Sequence, residues 1–382
     1  MIKARQLGLA GSVGMVGLFV LGSVLWSSRA DRQKKPVEDM TPTATSITIY
    51  SAGGSVVSGV IDPTALHSRR LRLPATAAAI NLLQGNQSLK WFTVQPVDEN
   101  KETKKEPADR YKLIGLPSLS PGELKLNYTL PEITWTLGLN AEVIDSKSVS
   151  LQLVAAVNMN TSEEYRNCDV TLVLNNAVSV EALSGAAFKL SAFDLYPHRN
   201  ITYNLGNQVT DYSFVREWNA DNDKDEVHVL LQVKNPFSVD LNRTSSSVEA
   251  NQIIVESGTI SGQSRPGEVI SLPAGIDDTI STFRSVKITE ATDKRPLPFN
   301  HHISYDITNH SNQEKTLRLV TSRVLGNEHR SVYHFKQPPD ATPENTLVWI
   351  LKLAPGGTGI VEYDFDADVK DVEGENGFEQ GG

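Results

Sequence analysis

A single cysteine, Cys168, stands in a chain of 382 residues, and that scarcity excludes two kinds of scaffold at once. No intrachain disulfide can form, and no site built from several thiolates can hold zinc. If such a chain is exported, its stability must come from core burial and not from cross-links. No Gly-x-Ser-x-Gly elbow occurs, and no strand–helix alternation surrounds Ser184-Gly185 or Ser257-Gly258, so a serine nucleophile lacks its usual setting. Gly356, Gly357 and Gly359 are not followed by the lysine and helix of a phosphate cradle, and they read as turn glycines. Positive charge is short as well. The formal net charge is −9, which argues against a nucleic-acid surface of clustered Lys and Arg. Arg69, Arg70 and Arg72 surround Leu71 and Leu73 and read as the solvated face of a strand. Sustained heptads and internal repeats are absent.

One long apolar run is present. Residues 7–26, from Leu7 to Trp26, contain no Asp, Glu, Lys or Arg; Lys3 and Arg5 precede them, and Arg29, Arg32, Lys34 and Lys35 follow. As a helix rising about 1.5 Å per residue, the run covers roughly 30 Å, the hydrocarbon thickness of a bilayer. Residues 1–30 are therefore expected to be an uncleaved single-pass anchor, with the bulk of the chain outside the cytoplasm. The run is longer than the roughly 7–15 apolar residues of a cleaved leader, which favours that reading. A cleaved signal peptide is the alternative, since Ser28 and Ala30 place small residues just before Asp31. The product would then be secreted or periplasmic. Charge counts do not decide orientation, because more Lys and Arg follow the run than precede it. Gly8, Gly11, Gly14 and Gly17 drift about 60° per step around a 3.6-residue helix, so they form no single packing stripe.

Beyond the run, hydrophobicity alternates with period two. Leu124, Leu126, Tyr128 and Leu130 form one such set, and Ile133, Trp135, Leu137 and Leu139 another. Val149 to Val157, Cys168 to Leu174, Val227 to Val233, Ile303 to Ile307, Leu347 to Leu353 and Val361 to Phe365 repeat the pattern. Each set is expected to be the buried face of a half-solvated strand. With Pro and Gly punctuation between them, the predicted fold is all-β: stacked antiparallel β-sandwich domains behind the anchor helix. The predicted division is a linker over 31–45, an N-terminal β domain over 46–115, a C-terminal β-sandwich region over 116–366, and a disordered acidic tail over 367–382. The charged stretch 98–109 reads as a mobile loop or hairpin excursion. One helix is expected after Pro74, from Ala75 to Gln84, stopped by Gly85.

Candidate chemistry is thin. Asp221, Asp223 and Asp225 alternate, but Glu226 and Gln232 occupy the positions where a calcium loop of the EF-hand type needs Gly and Glu. They read as a solvated acidic turn. His301 and His302 are adjacent, so a strand sends them to opposite faces. His301 falls on the apolar face of Ile303 and Tyr305, and His310, His329 and His334 add no zinc-enzyme spacing. Six Asn-x-Ser/Thr sequons, at Asn86, Asn127, Asn160, Asn200, Asn242 and Asn309, matter only in a eukaryotic secretory route. No catalytic residue, metal ligand or cofactor site is assigned.

The order of motifs does resemble a known family. Ile133-Thr134-Trp135, the run Asn158-Met159-Asn160-Thr161-Ser162-Glu163-Glu164-Tyr165, and Asp169-Val170-Thr171-Leu172-Val173-Leu174 come first. Leu272-Pro273-Ala274-Gly275, Asn345-Thr346-Leu347-Val348-Trp349, Leu353-Ala354-Pro355-Gly356-Gly357 and Val361-Glu362-Tyr363 complete the series. Together, over residues 116–366, they resemble the C-terminal β domain of the mucoidy-inhibitor-A-like family, whose function is unknown. Ile47 to Ser51 is similar to the first strand of its shorter members, and the coiled coil of longer members is missing. The resemblance implies an envelope-facing β protein and transfers no catalytic residue. The expected function is a non-enzymatic, tethered or exported module with a structural, adhesive or assembly role. Its expected partners are the membrane, through residues 7–26, and an envelope protein, with no nucleic acid. The alternative is a carbohydrate-active or other hydrolase whose acids converge only in the fold.

Overall fold

In the computed structural model, residues 40–51, 53–62, 70–85, 87–89, 92–98, 110–116, 123–174, 187–260, 262, 264–290, 297–323, 331–343 and 345–368 are described. They form strands and no helix, so the protein is all-β with several sheets. The first strands are β1 (Thr43–Tyr50), β2 (Ser55–Ile61), β3 (Arg70–Pro74), β4 (Ala78–Gln84), β5 (Gln87–Ser88), β6 (Thr93–Asp98), β7 (Arg110–Gly115) and β8 (Leu124–Leu130). Next come β9 (Ile133–Val143), β10 (Ser148–Met159), β11 (Tyr165–Val173), β12 (Ala187–Leu195), β13 (Arg199–Asn219), β14 (His228–Lys234), β15 (Ser245–Ala250) and β16 (Ile253–Thr259). The last are β17 (Val269–Ile276), β18 (Ile280–Glu290), β19 (Phe299–Asn309), β20 (Lys315–Ser322), β21 (Ser331–Phe335), β22 (Thr346–Leu353) and β23 (Thr358–Ala367).

Four sheets result. A seven-stranded sheet runs β12-β11-β1-β2-β8-β4-β5, and a nine-stranded one follows the path β16-β15-β9-β10-β13-β14-β17 with β20 and β22 branching from β13. β18-β19-β23-β21 and β3-β7-β6 complete the set. The ends of the nine-stranded path, β16 and β17, lie against each other, so this sheet curls on itself. Gly258 permits that approach: a Cβ there would stand 2.7 Å from Pro273 Cγ.

The alternating sets form the buried faces as expected. Leu124, Leu126, Tyr128 and Leu130 are buried, as are Ile133, Trp135, Leu137 and Leu139. Two hydrophobic cores follow. The first joins Ile47, Ile49 and Val57 to Trp135, Leu151, Leu231 and Leu272; the second gathers Trp218, Tyr305, Leu319, Trp349, Tyr363 and Phe365. β13 enters both, since Ile201 and Tyr212 pack on the first core and Trp218 lies inside the second. Leu231 of β14 lies in the first core, and Val227, the residue just before β14, lies in the second. At the passage between the cores, Lys315 Nζ donates to both Asp277 oxygens at 2.7 and 2.6 Å, and Arg216 Nε donates to Asp277 Oδ2 at 2.6 Å.

Several expectations are corrected. The helix over 75–84 is a turn at Pro74 followed by β4, which pairs antiparallel with β8 and buries Leu82. Helix propensity is a weak prior, and the open edge of β8 supplies a ladder that overrides it. The pairing is not purely antiparallel: β1 with β11, β9 with β15, and β13 with β20 run parallel. A period of two carries no information on strand direction. A division at 115/116 cuts through one sheet and one core, because β1 and β2 pair with β11 and β8 across it. Asp39–Gly382 form one compact unit. The linker is shorter than expected, since Met40 bridges to Leu71 and β1 begins at Thr43. Ala367, placed in the tail, is buried in β23. Segment 98–109 is flanked by the antiparallel pair β6 and β7; its residues 99–109, the tail beyond 368 and the apolar run 7–26 lie outside the described residues. Among the described residues no helix is long and apolar enough to cross a membrane.

Two predictions arise here. At Gly59, where the β1–β2 register shifts, a Cβ would stand 2.7 Å from Thr43 O. Gly59→Ala is expected to cost about 1–3 kcal/mol by overpacking against rigid backbone, read as a lowered urea midpoint at unchanged m-value. The Tyr128 and Tyr165 hydroxyls meet at 3.4 Å in the first core. Burial pushes the Tyr128 phenol up to about 12 and raises Tyr165 as well. Folded values above the unfolded one of about 10 mean that this stability is complete below pH 10 and is lost as pH rises toward 12. The urea midpoint should fall over that window, and less steeply in Tyr128→Phe.

Candidate functional site

The outward face of the four-stranded sheet carries rows of titratable side chains. Alternation along β19 and β23 sends His301, Ile303, Tyr305, Tyr363 and Phe365 inward, with His301 stacked on Phe365 at 4.6 Å. The intervening residues project outward, and strand register aligns them into rows. Lys287, His302, Asp364 and His334 are successive cross-strand neighbours across all four strands. Asn300 and Asp366 form part of the row on one side, and Ser304 and Glu362 part of the row on the other.

Three acids on this face, Asp364, Asp366 and Glu362, each meet a donor. His302 Nδ1 is 2.9 Å from Asp364 Oδ1, and His334 Nε2 is 3.2 Å from Asp366 Oδ2. Asn300 Nδ2 donates to Asp366 Oδ1 at 2.9 Å, and Lys336 Nζ donates to Glu362. The Lys336 ammonium holds the Glu362 carboxyl below the usual carboxylate range, and Glu362 in turn raises Lys336. The face is rich in donors and acceptors, with Phe283, Val332 and Ile360 exposed among them. Such a surface suits recognition of a polar partner, since positioned charges fix register and specificity more than they add affinity.

The residues singled out from sequence are dispersed. Asp221 accepts from Thr321 Oγ1 at 3.0 Å and from the Ser322 N–H at 2.5 Å, tying the acidic turn to the end of β20. Asp223 accepts from the Asn219 N–H at 2.9 Å. These carboxylates brace separate backbone segments and do not converge. Among the described residues, no group of three or more His, Cys, Asp or Glu is arranged to hold a metal ion. His310 Nε2 contacts Ser281 Oγ at 2.8 Å. His329 and Ser184-Gly185 lie outside the described residues, and Ser257-Gly258 is mid-strand in β16. Gly356, with φ +64°, serves the β22–β23 turn. Asn309 is fully buried and donates to Gln313, Leu353 and Ala354 carbonyls, so its sequon is closed to modification in the folded chain.

Where β13 exchanges β10 for β14 as its partner, an open groove of about 350 Å³ is lined by Thr210, Asp211, Ser213, Gln232 and Lys234, among others. Paired-carboxylate glycosidases set two acids about 5–9.5 Å apart. Asp211 is the one carboxylate lining this groove.

The His–Asp rows escaped sequence reasoning because their members come from four strands, and only the register joins them. The available signal was weak: polar residues at every second position of β19, interrupted by Val332 in β21 and Ile360 in β23. No known family model matches the chain, and no curated protein matches it either.

Proposed function

We propose that the chain is a non-enzymatic β module of the cell envelope, tethered by residues 7–26 or exported behind them, that presents sheet faces to a protein partner. The observation carrying this reading is the uncharged apolar run 7–26, of membrane-spanning length and bracketed by basic residues. The all-β body and its donor- and acceptor-rich face support it, since such surfaces position partners. So does the resemblance of residues 116–366 to the mucoidy-inhibitor-A-like C-terminal domain, and the packed sheets are read accordingly as stacked β-sandwiches.

Fractionation of cells expressing the full chain tests the reading. The chain should sediment with membranes, resist carbonate extraction and be degraded by protease added from outside. N-terminal sequencing then separates the two routes, an intact N-terminus for the anchor and a start at Asp31 for export. A full-length chain recovered free in the cytoplasm would refute both.

A further inference from the structure

β18 is an unusual edge. Most other strands that end a sheet are blunted, as exposed edges in native proteins generally are. Asp340 and Ala341 bond to the outer side of β22. Met40 bonds along β3, and β6 contains Pro96, which has no N–H. Register shifts interrupt β12, and β16 lies against β17. β5 and β21 are two and five residues long. β18, by contrast, runs eleven residues without a register shift, and among the described residues no strand pairs with its outer side. It is also apolar on both faces: Phe283 is 60% exposed on one, Val286 49% and Ile288 38% on the other.

Its ladder fixes what a partner strand would meet. The His310 N–H donates to Thr279 O at 2.8 Å, so Ile280 and Asn309 are a non-hydrogen-bonded pair. Odd-numbered residues of β18 therefore direct their backbone groups to β19, and even-numbered ones direct theirs outward.

We propose that β18 pairs antiparallel with β18 of a second copy, about a twofold axis at Ser285, joining two four-stranded sheets into one of eight. This register overlaps all eleven residues and matches outward backbone groups with outward backbone groups. On the polar face it sets Ser281 opposite Thr289, Phe283 opposite Lys287, and Ser285 opposite itself. The Phe–Lys pair is a cation over an aromatic ring, and the Ser–Thr pair can hydrogen-bond across strands. On the other face Arg284 lies along Val286 and Thr282 along Ile288, covering the two exposed aliphatic chains. No like charges are directly opposed. Centring the axis on Arg284 would oppose two guanidinium groups, and centring it on Val286 shortens the overlap.

This inference rests on the assembly role proposed above and names its partner. Ser285→Cys in the full chain tests it, because directly opposed Cβ atoms lie about 4.5–5.5 Å apart and Cys168 is buried. Mild oxidation should give a reducible dimer with Ser285→Cys, none with Ser281→Cys alone, and one with Ser281→Cys combined with Thr289→Cys. Sedimentation of the wild type should show a concentration-dependent dimer. Val286→Pro removes an N–H that β19 does not use, and should weaken the dimer about tenfold or more with the circular dichroism of the fold retained. Val286→Lys serves if the proline variant does not fold. A wild type that stays monomeric, or a dimer that Ser285→Cys does not cross-link, overturns the proposal. A monomer still found in membranes would sink only the self-pairing; a dimer confined to the cytoplasm would sink only the envelope reading.

Discussion

Asp277→Ala should lower the unfolding free energy by about 3–5 kcal/mol, because it strands a buried cation. The Lys315 side chain is only 10% exposed, and its ammonium bonds to both Asp277 oxygens and to Thr279 Oγ1. Arg216 would lose the same partner. Replacing the pair together, Asp277→Leu with Lys315→Met, should recover much of the loss, since apolar substitutes of similar volume often match a buried ion pair. Acid adds an independent check. Burial on its own would raise the Asp277 pKa, but hydrogen bonds from Lys315, Thr279 and Arg216 outweigh it and hold the carboxyl well below its usual range. A depressed folded value means the stabilisation is complete above the unfolded pKa of about 3.9 and is lost as pH falls below it. Urea titrations across that window should show a steeper decline in the wild type than in Asp277→Ala. Equal slopes would show that the cluster contributes nothing to acid stability.

Trp349→Ala is the second large effect, at about 3–5 kcal/mol for a buried aromatic truncated to a methyl. Trp349 stacks on Tyr363 at 5.7 Å, meets Phe335 edge-on at 6.2 Å, and donates Nε1–H to Gln337 O at 3.1 Å. Truncation opens a cavity and leaves that carbonyl without its donor. Trp349→Phe should cost distinctly less. Since β13 enters both cores, the whole body should still unfold in one transition when followed by near-ultraviolet dichroism. A separate early transition in Trp349→Ala would show that the second core melts by itself.

What the sequence revealed follows from what alternation encodes. Burial of Leu124, Trp135, Leu151, Val170, Trp349 and Tyr363 was legible because each lies on the apolar side of a two-residue repeat. Ala78 to Gln84 misled because Ala, Leu and Gln favour helices in isolation, whereas the deciding partner, β8, lies some forty residues away in the chain. Domain limits were hidden for a similar reason. β1 pairs with β11 across more than a hundred residues, and nothing local to either strand announces it. The candidate face was half visible. His301 and His302 were correctly sent to opposite sides, but Asp364 and His334 join His302 only through two registers.

The placement of β1 also decides how the molecule bears load. The strand lies between β2 and β11, bonded to both along most of its length. Tension arriving through the preceding chain and directed along β1 would pull against two ladders in shear, straining their hydrogen bonds together and not opening them one at a time. An outermost strand pulled crosswise would unzip bond by bond. The first of the described strands is thus seated where the fold resists traction well.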